Sequence, residues 1–399
     1  DTYGFPLDLT EDALRAKGHT VDRAGFDNAM TRQRAEARRN WTGSGDTLTD
    51  ELWFKIREST EITEFLGYET EDADGEVVAI VQKGKQVDQA GAGSEVMMVI
   101  NQTPFYAESG GQAGDTGIIT DLARLKVDVN NTTTVADNLS VHSGRILSGT
   151  LAIGVTVHLQ VNRERRSALR RSHSATHLVH AALRRHLGEH VSQKGSLVAP
   201  DRLRFDISHP KAISSEELLL VETEVNQQIL GNNLVTTTLM KPEKAIQHGA
   251  LALFGEKYGD EVRVISMEGT DGQDYSIELC GGTHVDRTGD VGLFRLISEG
   301  AVGAGIRRIE AFTGTGALSH IRQQDTLLRS SAHALKVRPS ELSERLATFL
   351  AERKQLEMEL SNARRTLATG GNTKDITGDI REIDGIKFVA RRLNRVPAR

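Results

Sequence analysis

The sequence predicts an α+β fold: a small antiparallel β-barrel, then a mixed α/β core, then a coiled-coil-like helix. Three observations lead to this prediction. Short β-rich segments separated by turn residues fill residues 60–160, which is typical of a small barrel. Helical and strand-like segments alternate from residue 165 to 315. Apolar residues then recur at heptad spacing between 342 and 367, as in a coiled-coil seam.

Length and composition limit the class of protein. At 399 residues and 38% hydrophobic content, the chain is long enough for two or three domains. No apolar run approaches the roughly 20 residues of a membrane span, and no signal peptide is visible. One cysteine excludes an internal disulfide framework and favours a cytoplasmic protein. Since the chain begins with Asp1, we expect it to be a piece of a longer protein.

Two regions precede the core. Residues 5–40 are predicted to be helical, and the polar, glycine-containing residues 42–46 are a candidate boundary. In the barrel region, strands are predicted at residues 76–81, 95–101, 125–129 and 155–161. The barrel also contains a glycine-dense loop with the triplet Gly110-Gly111-Gln112. We interpret the triplet as a structural turn; the alternative is a hydrolytic loop similar to that of peptide release factors.

The core is predicted to open with a long helix. Its predicted elements are a helix at 167–187, a hairpin at 197–206, a helix at 214–231 and strands at 234–240, 261–266, 292–297 and 307–311. The hairpin has Pro200-Asp201 as its turn.

Two short segments at the ends of this core carry metal-binding residue types. The residues are His173, His177, Cys280 and His284. The first two are four residues apart on a predicted helix, so they project from one side of it. Three imidazoles and a thiol make a complete tetrahedral ligand set, which predicts a mixed α/β zinc-containing core. The alternatives are packed histidines and a buried, inert cysteine beside a glycine turn.

Basic residues cluster next to the first histidine pair. The cluster consists of Arg163, Arg165, Arg166, Arg170 and Arg171. Net charge is −6, so nucleic-acid binding is not favoured by bulk charge. A single cluster of this kind is usually a solvated basic face. Two further clusters lie around the same metal site, however, and three together favour a phosphate-bearing substrate; the others are Arg184, Arg185, Lys194, Arg202 and Arg204, and then Arg307 and Arg308.

The heptad segment has one polar intruder. Its seam is Leu342, Leu346, Phe349, Arg353, Leu356, Leu360, Ala363 and Leu367. Such a seam predicts pairing with another subunit, and hence a homodimer, or folding back on residues 316–337.

Five strings of sequence carry a resemblance that covers essentially the whole chain. They lie at residues 1–10, 105–117, 173–206, 280–285 and 305–311. Through them the chain resembles the post-catalytic half of bacterial alanyl-tRNA synthetases. The resemblance implies five parts: a tail of the tRNA-recognition helical domain (1–40), the β-barrel of the editing module (41–160), the zinc-binding editing core (161–315), a helical, coiled-coil linker (316–370) and the truncated start of a C-terminal domain (371–399).

The resemblance also implies an activity. The longer protein would be an ATP-dependent alanine–tRNA ligase, whereas this chain would lack the class II aminoacylation domain. The chain would instead hydrolyse the ester bond of tRNA(Ala) that is mischarged with serine or glycine. Editing is needed because a pocket sized for a methyl group cannot exclude glycine and only modestly rejects the hydroxyl of serine.

The resemblance assigns roles to residues. One Zn2+ would be bound by the three histidines and the cysteine, Gln193 would line the editing pocket, and the arginine cluster would hold phosphates of the tRNA. Asp206 and Glu278 are candidates for a general base, although a structural role is the preferred interpretation. Four protein ligands close a tetrahedral site, and closed sites are usually structural. The sequence does not decide between a catalytic and a structural role for the zinc.

Other readings of the same residues stay open. One is a free-standing trans-editing factor that shares the core. Another is a non-catalytic, zinc-stabilised module that docks tRNA and dimerises. A generic zinc esterase, which would not require tRNA, is a further alternative.

Overall fold

A computed structural model describes residues 25–26, 46–136, 139–251, 260–369 and 380–389. The helices predicted within residues 1–40 lie outside this range, apart from Gly25 and Phe26, which are helical. Most of the C-terminal part predicted at 371–399 also lies outside it. Among the described helices, none is long and apolar enough to cross a membrane.

The first described region is a closed antiparallel barrel of six strands. These are β2 (Asp72–Gln82), β5 (Glu95–Ile100), β7 (Gly117–Thr120), β8 (Lys126–Val135), β9 (Leu139–Ser148) and β11 (Thr156–Val161). They pair in the order β11-β7-β8-β9-β5-β2, and β2 pairs with β11 to close the sheet. In β11, Val157, Leu159 and Val161 are buried and the residues between them are exposed, as a barrel wall requires. The predicted barrel is confirmed, although β7 and β9 were not predicted.

Shorter elements complete this region. They are the helix α1 (Asp46–Ser59) and the strands β1 (Glu64–Phe65), β3 (Lys85–Gln86), β4 (Gln89–Gly91), β6 (Gln102–Thr103) and β10 (Thr150–Ala152). Trp53 and Ile56 of α1 pack against Val99 and Val141 of the barrel. The helix therefore covers apolar residues that lie outside the main barrel core. It was not predicted from the sequence.

The second region is a mixed α/β core. Its helices are α2 (Arg163–Leu187), α3 (Ser215–Gly231) and α4 (Pro242–Gln247), and its strands are β12 (Gln193–Val198), β13 (Leu203–Ser208), β14 (Val235–Met240), β15 (Val262–Glu268), β16 (Asp274–Leu279), β17 (Phe294–Gly303) and β18 (Ile306–Thr313). The strands form two antiparallel sheets, β12-β13-β18-β17 and β14-β15-β16. The predicted long helix, hairpin and second helix are confirmed; β16 was not predicted as a full strand.

Helix α2 lies at the centre of this core. The side chain of Asn162 caps it by accepting a hydrogen bond from the backbone N–H of Arg165 at 3.1 Å. Every residue from Ser172 to Leu183 is buried. Its apolar residues pack in one cluster with Phe205 of β13 and Val225 of α3. Polar side chains in this stretch are therefore held inside the protein.

Two long helices follow the core. They are α5 (Gly314–Ala334) and α6 (Leu342–Thr369), and a hairpin of β19 (Ile380–Ile383) and β20 (Ile386–Val389) comes after them. The predicted heptad segment is one continuous helix, but its apolar residues are 47–80% exposed at Leu346, Phe349, Leu356, Leu360 and Leu367. Folding back on residues 316–337 therefore does not cover the seam in the described chain. Pairing with a second subunit stays a prediction.

Candidate metal centre

Three histidines and the cysteine meet beside the buried part of α2. His173 and His177 lie one turn apart on that helix, and Cys280 and His284 lie in the loop that follows β16. One ligand atom from each of the four lies within 4.8 Å of the others. The sulfur of Cys280 is 3.4 Å from Nε2 of His173 and 3.3 Å from Nε2 of His284. The structure thus brings together the four residues that the sequence singled out.

The loop after β16 turns tightly around the cluster. The backbone N–H of Cys280 donates to the carbonyl of Arg263 in β15 at 3.0 Å, which extends the sheet pairing to the first ligand. At Gly282, a Cβ atom would overlap the imidazole of His173. The second glycine of the Cys-Gly-Gly-Thr-His string is therefore required by close approach to a ligand side chain.

Each histidine of the cluster is held through its Nδ1 atom. The pairs are His173 with Oε1 of Gln112 at 2.7 Å, His177 with Oε2 of Glu278 at 2.8 Å and His284 with Oγ of Ser174 at 3.2 Å. The Nε2 atoms are then left for the centre, and that of His177 has no hydrogen-bond partner among the described residues. Metal-binding histidines usually donate their other ring N–H to an acceptor of this kind. The sequence did not predict the contacts of Gln112 and Ser174.

Electrostatics favour a cation at this point. Burial raises the pKa of the Cys280 thiol, but the imidazoles of His173 and His284 lower it by more, so it lies well below its usual range. Burial, together with the neighbouring charge of His173, lowers the pKa of His284 to about 3. Burial lowers the pKa of His177 as well, yet the carboxylate of Glu278 overcomes this and raises it to about 10. A thiolate and a neutral imidazole are the forms that bind metal ions, and a bound ion would displace the proton of His177. The residues present therefore fit a divalent ion such as zinc.

A cavity of about 340 Å³ opens beside the cluster. His173, His177 and Cys280 form part of its wall. Further lining residues are Tyr106, Ser109, Thr176, Gln193, Ser196 and Arg263. Gln193 begins β12 and faces this cavity, at the position where the resemblance places a pocket residue. Both the barrel and the core contribute to the wall, and most of the side chains offered to a ligand are polar.

The two carboxylates considered as general bases are already engaged. Asp206 accepts two hydrogen bonds from Arg308, both at 2.7 Å. Glu278 accepts from His177 at 2.8 Å and from His180 at 2.9 Å. The structural interpretation of both carboxylates therefore agrees with the geometry.

The arginine cluster faces the barrel. Arg166 is fully buried and is paired with Asp115. Arg165 donates to the carbonyl of Gly114 at 3.1 Å. Because Arg166 cannot reach a phosphate, its assignment to tRNA binding is wrong.

Two other arginines of the cluster also contact the barrel. Arg170 is paired with Glu71 at 2.8 Å, and Arg163 lies 3.5 Å from the same carboxylate. The side chain of Arg163 is 66% exposed, whereas Arg171 is partly buried. For Arg163, Arg165, Arg170 and Arg171, phosphate binding stays a prediction.

Comparison with protein families gives the class of protein. Residues 1–165 match the family of class II (A) tRNA synthetases, and residues 262–310 match the threonyl and alanyl tRNA synthetase second additional domain. The second match covers β15, β16 and the loop with Cys280 and His284. The chain is therefore aminoacyl-tRNA synthetase sequence, and the candidate metal centre lies partly in the residues that match the threonyl and alanyl second additional domain.

Curated relatives narrow the class further. Proteins named alanine–tRNA ligase from Mesorhizobium japonicum and Granulibacter bethesdensis are both 54% identical to it over 99% of this chain. A third, from a Chelativorans species, is 53% identical over 98% of this chain. The chain belongs to the alanyl-tRNA synthetase family and spans 45% of the length of these relatives.

The class II match corrects one expectation. It reaches from residue 1 to the end of the barrel, so the chain carries part of the region that this family model describes. The prediction that the class II domain is absent altogether is therefore wrong for residues 1–165.

Proposed function

We propose that this chain hydrolyses the ester bond of wrongly charged tRNA(Ala), with seryl-tRNA(Ala) and glycyl-tRNA(Ala) as its substrates. The observation that carries the proposal is the position of the cluster: three of its four side chains form the wall of a cavity of about 340 Å³. A metal site that served the fold alone would not need an open cavity beside its ligands. The name of the relatives, alanine–tRNA ligase, supports tRNA(Ala) as the partner.

The four residues that would hold one Zn2+ are His173, His177, Cys280 and His284. A zinc ion bound there would supply Lewis-acid polarisation of an ester carbonyl or, as a closed four-ligand site, would shape the pocket. The side chains of this chain do the remaining work of binding and discrimination.

Recognition of serine over alanine requires a group that bonds to a hydroxyl. The hydroxyl of Thr176 donates to the carbonyl of Ser172 at 2.8 Å, so its oxygen is free to accept from a ligand in the cavity. The amide of Gln193 offers both a donor and an acceptor. Alanine lacks the hydroxyl that would use either contact, so these contacts would select serine over alanine; glycine lacks the hydroxyl as well, and its selection over alanine would have to rest on the absence of a methyl group.

Glu278 lines the same cavity, but we assign it to orienting His177 rather than to proton transfer. Both of its oxygens already accept hydrogen bonds from imidazoles. Burial alone would raise the pKa of Glu278, but His177 and His180 lower it by more and hold it as a negative charge next to the cluster, where it would balance the charge of a bound cation.

One observation favours a second function. The cluster provides four protein ligands, and zinc sites closed in this way are usually structural. The chain would then be a zinc-stabilised module that docks tRNA(Ala) without cleaving its ester. The two functions make different predictions for a variant that loses a pocket side chain but keeps its metal: only the hydrolase has an ester cleavage rate to lose.

Deacylation of Ser-, Gly- and Ala-tRNA(Ala) by the 399-residue chain tests the proposal. The variants are Cys280→Ala, which removes a metal ligand, and Gln193→Ala, which leaves all four ligands in place. We expect the unmodified chain to release serine and glycine but not alanine. Cys280→Ala should lose bound zinc and turnover together, whereas Gln193→Ala should keep zinc and lose turnover at least tenfold.

Two controls separate the functions. Zinc content by mass spectrometry and circular dichroism show whether each variant is loaded and folded. If the loaded, folded chain binds tRNA(Ala) but cleaves none of the three esters, the docking module is correct and the hydrolase is not. Cleavage of all three esters at similar rates would contradict selection against alanine.

A further inference from the structure

Gln112 belongs to the barrel but is fully buried against the metal centre. It closes the turn in which Gly110 and Gly111 adopt φ values of +56° and +84°, the left-handed region that favours glycine. A Cβ at Gly111 would also collide with the carbonyl of Ser196 in β12. The glycines therefore let this loop of the barrel lie directly on the core.

Backbone hydrogen bonds hold the loop on the core. The N–H of Val198 in β12 donates to the carbonyl of Gly111 at 2.7 Å, and the N–H of Ala113 donates to the carbonyl of Val198 at 3.0 Å. Gln112 thus sits at the centre of a short parallel bridge between the barrel loop and β12. Its position is set by main-chain atoms on both sides.

The side-chain amide of Gln112 makes three hydrogen bonds across the boundary. Its Oε1 accepts from the backbone N–H of Thr283 at 3.0 Å and contacts Nδ1 of His173 at 2.7 Å. Its Nε2 donates to Oγ1 of Thr283 at 2.9 Å. Because a backbone N–H can only donate, the oxygen and nitrogen of the amide are assigned. Nδ1 of His173 must then carry the proton, and the lone pair of its ring lies on Nε2, which faces Cys280.

We propose that Gln112 is a positioning residue of the metal centre. It selects the tautomer of His173 and holds the plane of its ring, and it does so from the barrel, a different domain from the one that carries the four ligands. Metal affinity then depends on docking of the barrel on the core. This inference rests on the proposed metal centre but not on the proposed hydrolysis.

The position of Gln112 also decides between the two interpretations of its triplet. Ser109 and Gly110 line the cavity, whereas Gln112 is not among the described residues that do. Both heteroatoms of its amide are engaged by Thr283 and His173 and the residue is fully buried, so it does not face an ester in the cavity. The triplet is a structural turn, and its glutamine acts on the ligand rather than on a substrate.

The experiment is a zinc titration of the 399-residue chain against a competing chelator. Gln112→Met keeps the length of the side chain and removes the acceptor, and we expect its zinc Kd to rise about 10- to 100-fold, the usual effect of losing such a partner. Gln112→Glu keeps an acceptor for Nδ1–H and should stay within about threefold of the unmodified chain. Gln193→Met is the matched control: the same substitution in the cavity wall should leave the zinc Kd unchanged.

A second readout separates positioning from general stability. The absorption bands of bound Co2+ report the geometry of the thiolate and imidazole ligands, and Gln112→Met should shift them whereas Gln193→Met should not. If Gln112→Met does not fold, Gln112→Asn, whose amide is one methylene too short, carries the same expectation. A zinc Kd for these variants within threefold of the unmodified chain would overturn the proposal, as would an equal loss in Gln112→Glu. Both results are independent of whether any ester is cleaved, so failure of the proposed hydrolysis would leave this inference standing.

Discussion

Replacing Arg166 with methionine should destabilise the chain severely. Its guanidinium is completely buried. It donates to the Asp115 carboxylate through Nε at 2.9 Å and also through Nη2. It further donates to the carbonyls of Gly67 at 2.8 Å and Pro104 at 2.6 Å. Methionine fills a similar volume but supplies none of these donors. The Asp115 carboxylate would stay buried and would keep the hydrogen bond that it accepts from the backbone N–H of Tyr106 at 2.7 Å.

The magnitude follows from what is left unpaired. Removing one member of a buried ion pair costs about 3–5 kcal/mol, because the other charge stays in a site of low polarity. Two carbonyls that lose their donor add about 1 kcal/mol or more each. We therefore expect a loss of about 5 kcal/mol, between three and four decades in the folding equilibrium. Asp115→Asn added to Arg166→Met removes the orphaned charge and should restore at least half of the loss.

Urea denaturation followed by circular dichroism measures this loss. Arg163→Met is the matched control, since that side chain is 66% exposed and lies 3.5 Å from Glu71; an exposed pair contributes about 0–1 kcal/mol. If Arg166→Met is as stable as Arg163→Met to within about 1 kcal/mol, the structural assignment of Arg166 is refuted.

Two other predictions concern the barrel and the metal-binding loop. Burial lowers the pKa of His142, in the barrel wall, to about 4, below its unfolded value of about 6.5. The free energy of unfolding should therefore fall by about 3 kcal/mol as the pH drops from 6.5 toward 4, because the unfolded chain binds a proton that the folded chain does not. His142→Gln should remove that part of the pH dependence of urea unfolding, and an unchanged profile would contradict it. Gly282→Ala should displace the ring of His173 and weaken zinc binding at least tenfold. Gly281→Ala, whose Cβ would meet only Tyr68 at 3.9 Å, should bind zinc normally, and equal losses in the two variants would show that the overlap is not the cause.

Patterns within short stretches of sequence determined much of the fold. The buried helix, the hairpin at 197–206 and the barrel were predicted because helical and strand periodicity depend on residues close together in the chain. The same holds for the four residues of the cluster, whose types and four-residue spacings predicted a metal site before their positions in the fold were known. The helix α1 and the strands β7, β9 and β16 were missed because their formation depends on what packs on them as well as on local periodicity.

Tertiary structure alone decided what most polar side chains do. Arg166 and Arg163 are equivalent in sequence as members of one basic cluster, yet one is buried against Asp115 and the other is exposed. Gln112 and His173 are 61 residues apart, and Glu278 is 101 residues from His177. A guanidinium, amide or carboxylate has the same local signature whether it meets solvent, a phosphate or a partner in another domain. Its role depends on burial and on long-range partners, and these exist only once the barrel has docked on the core.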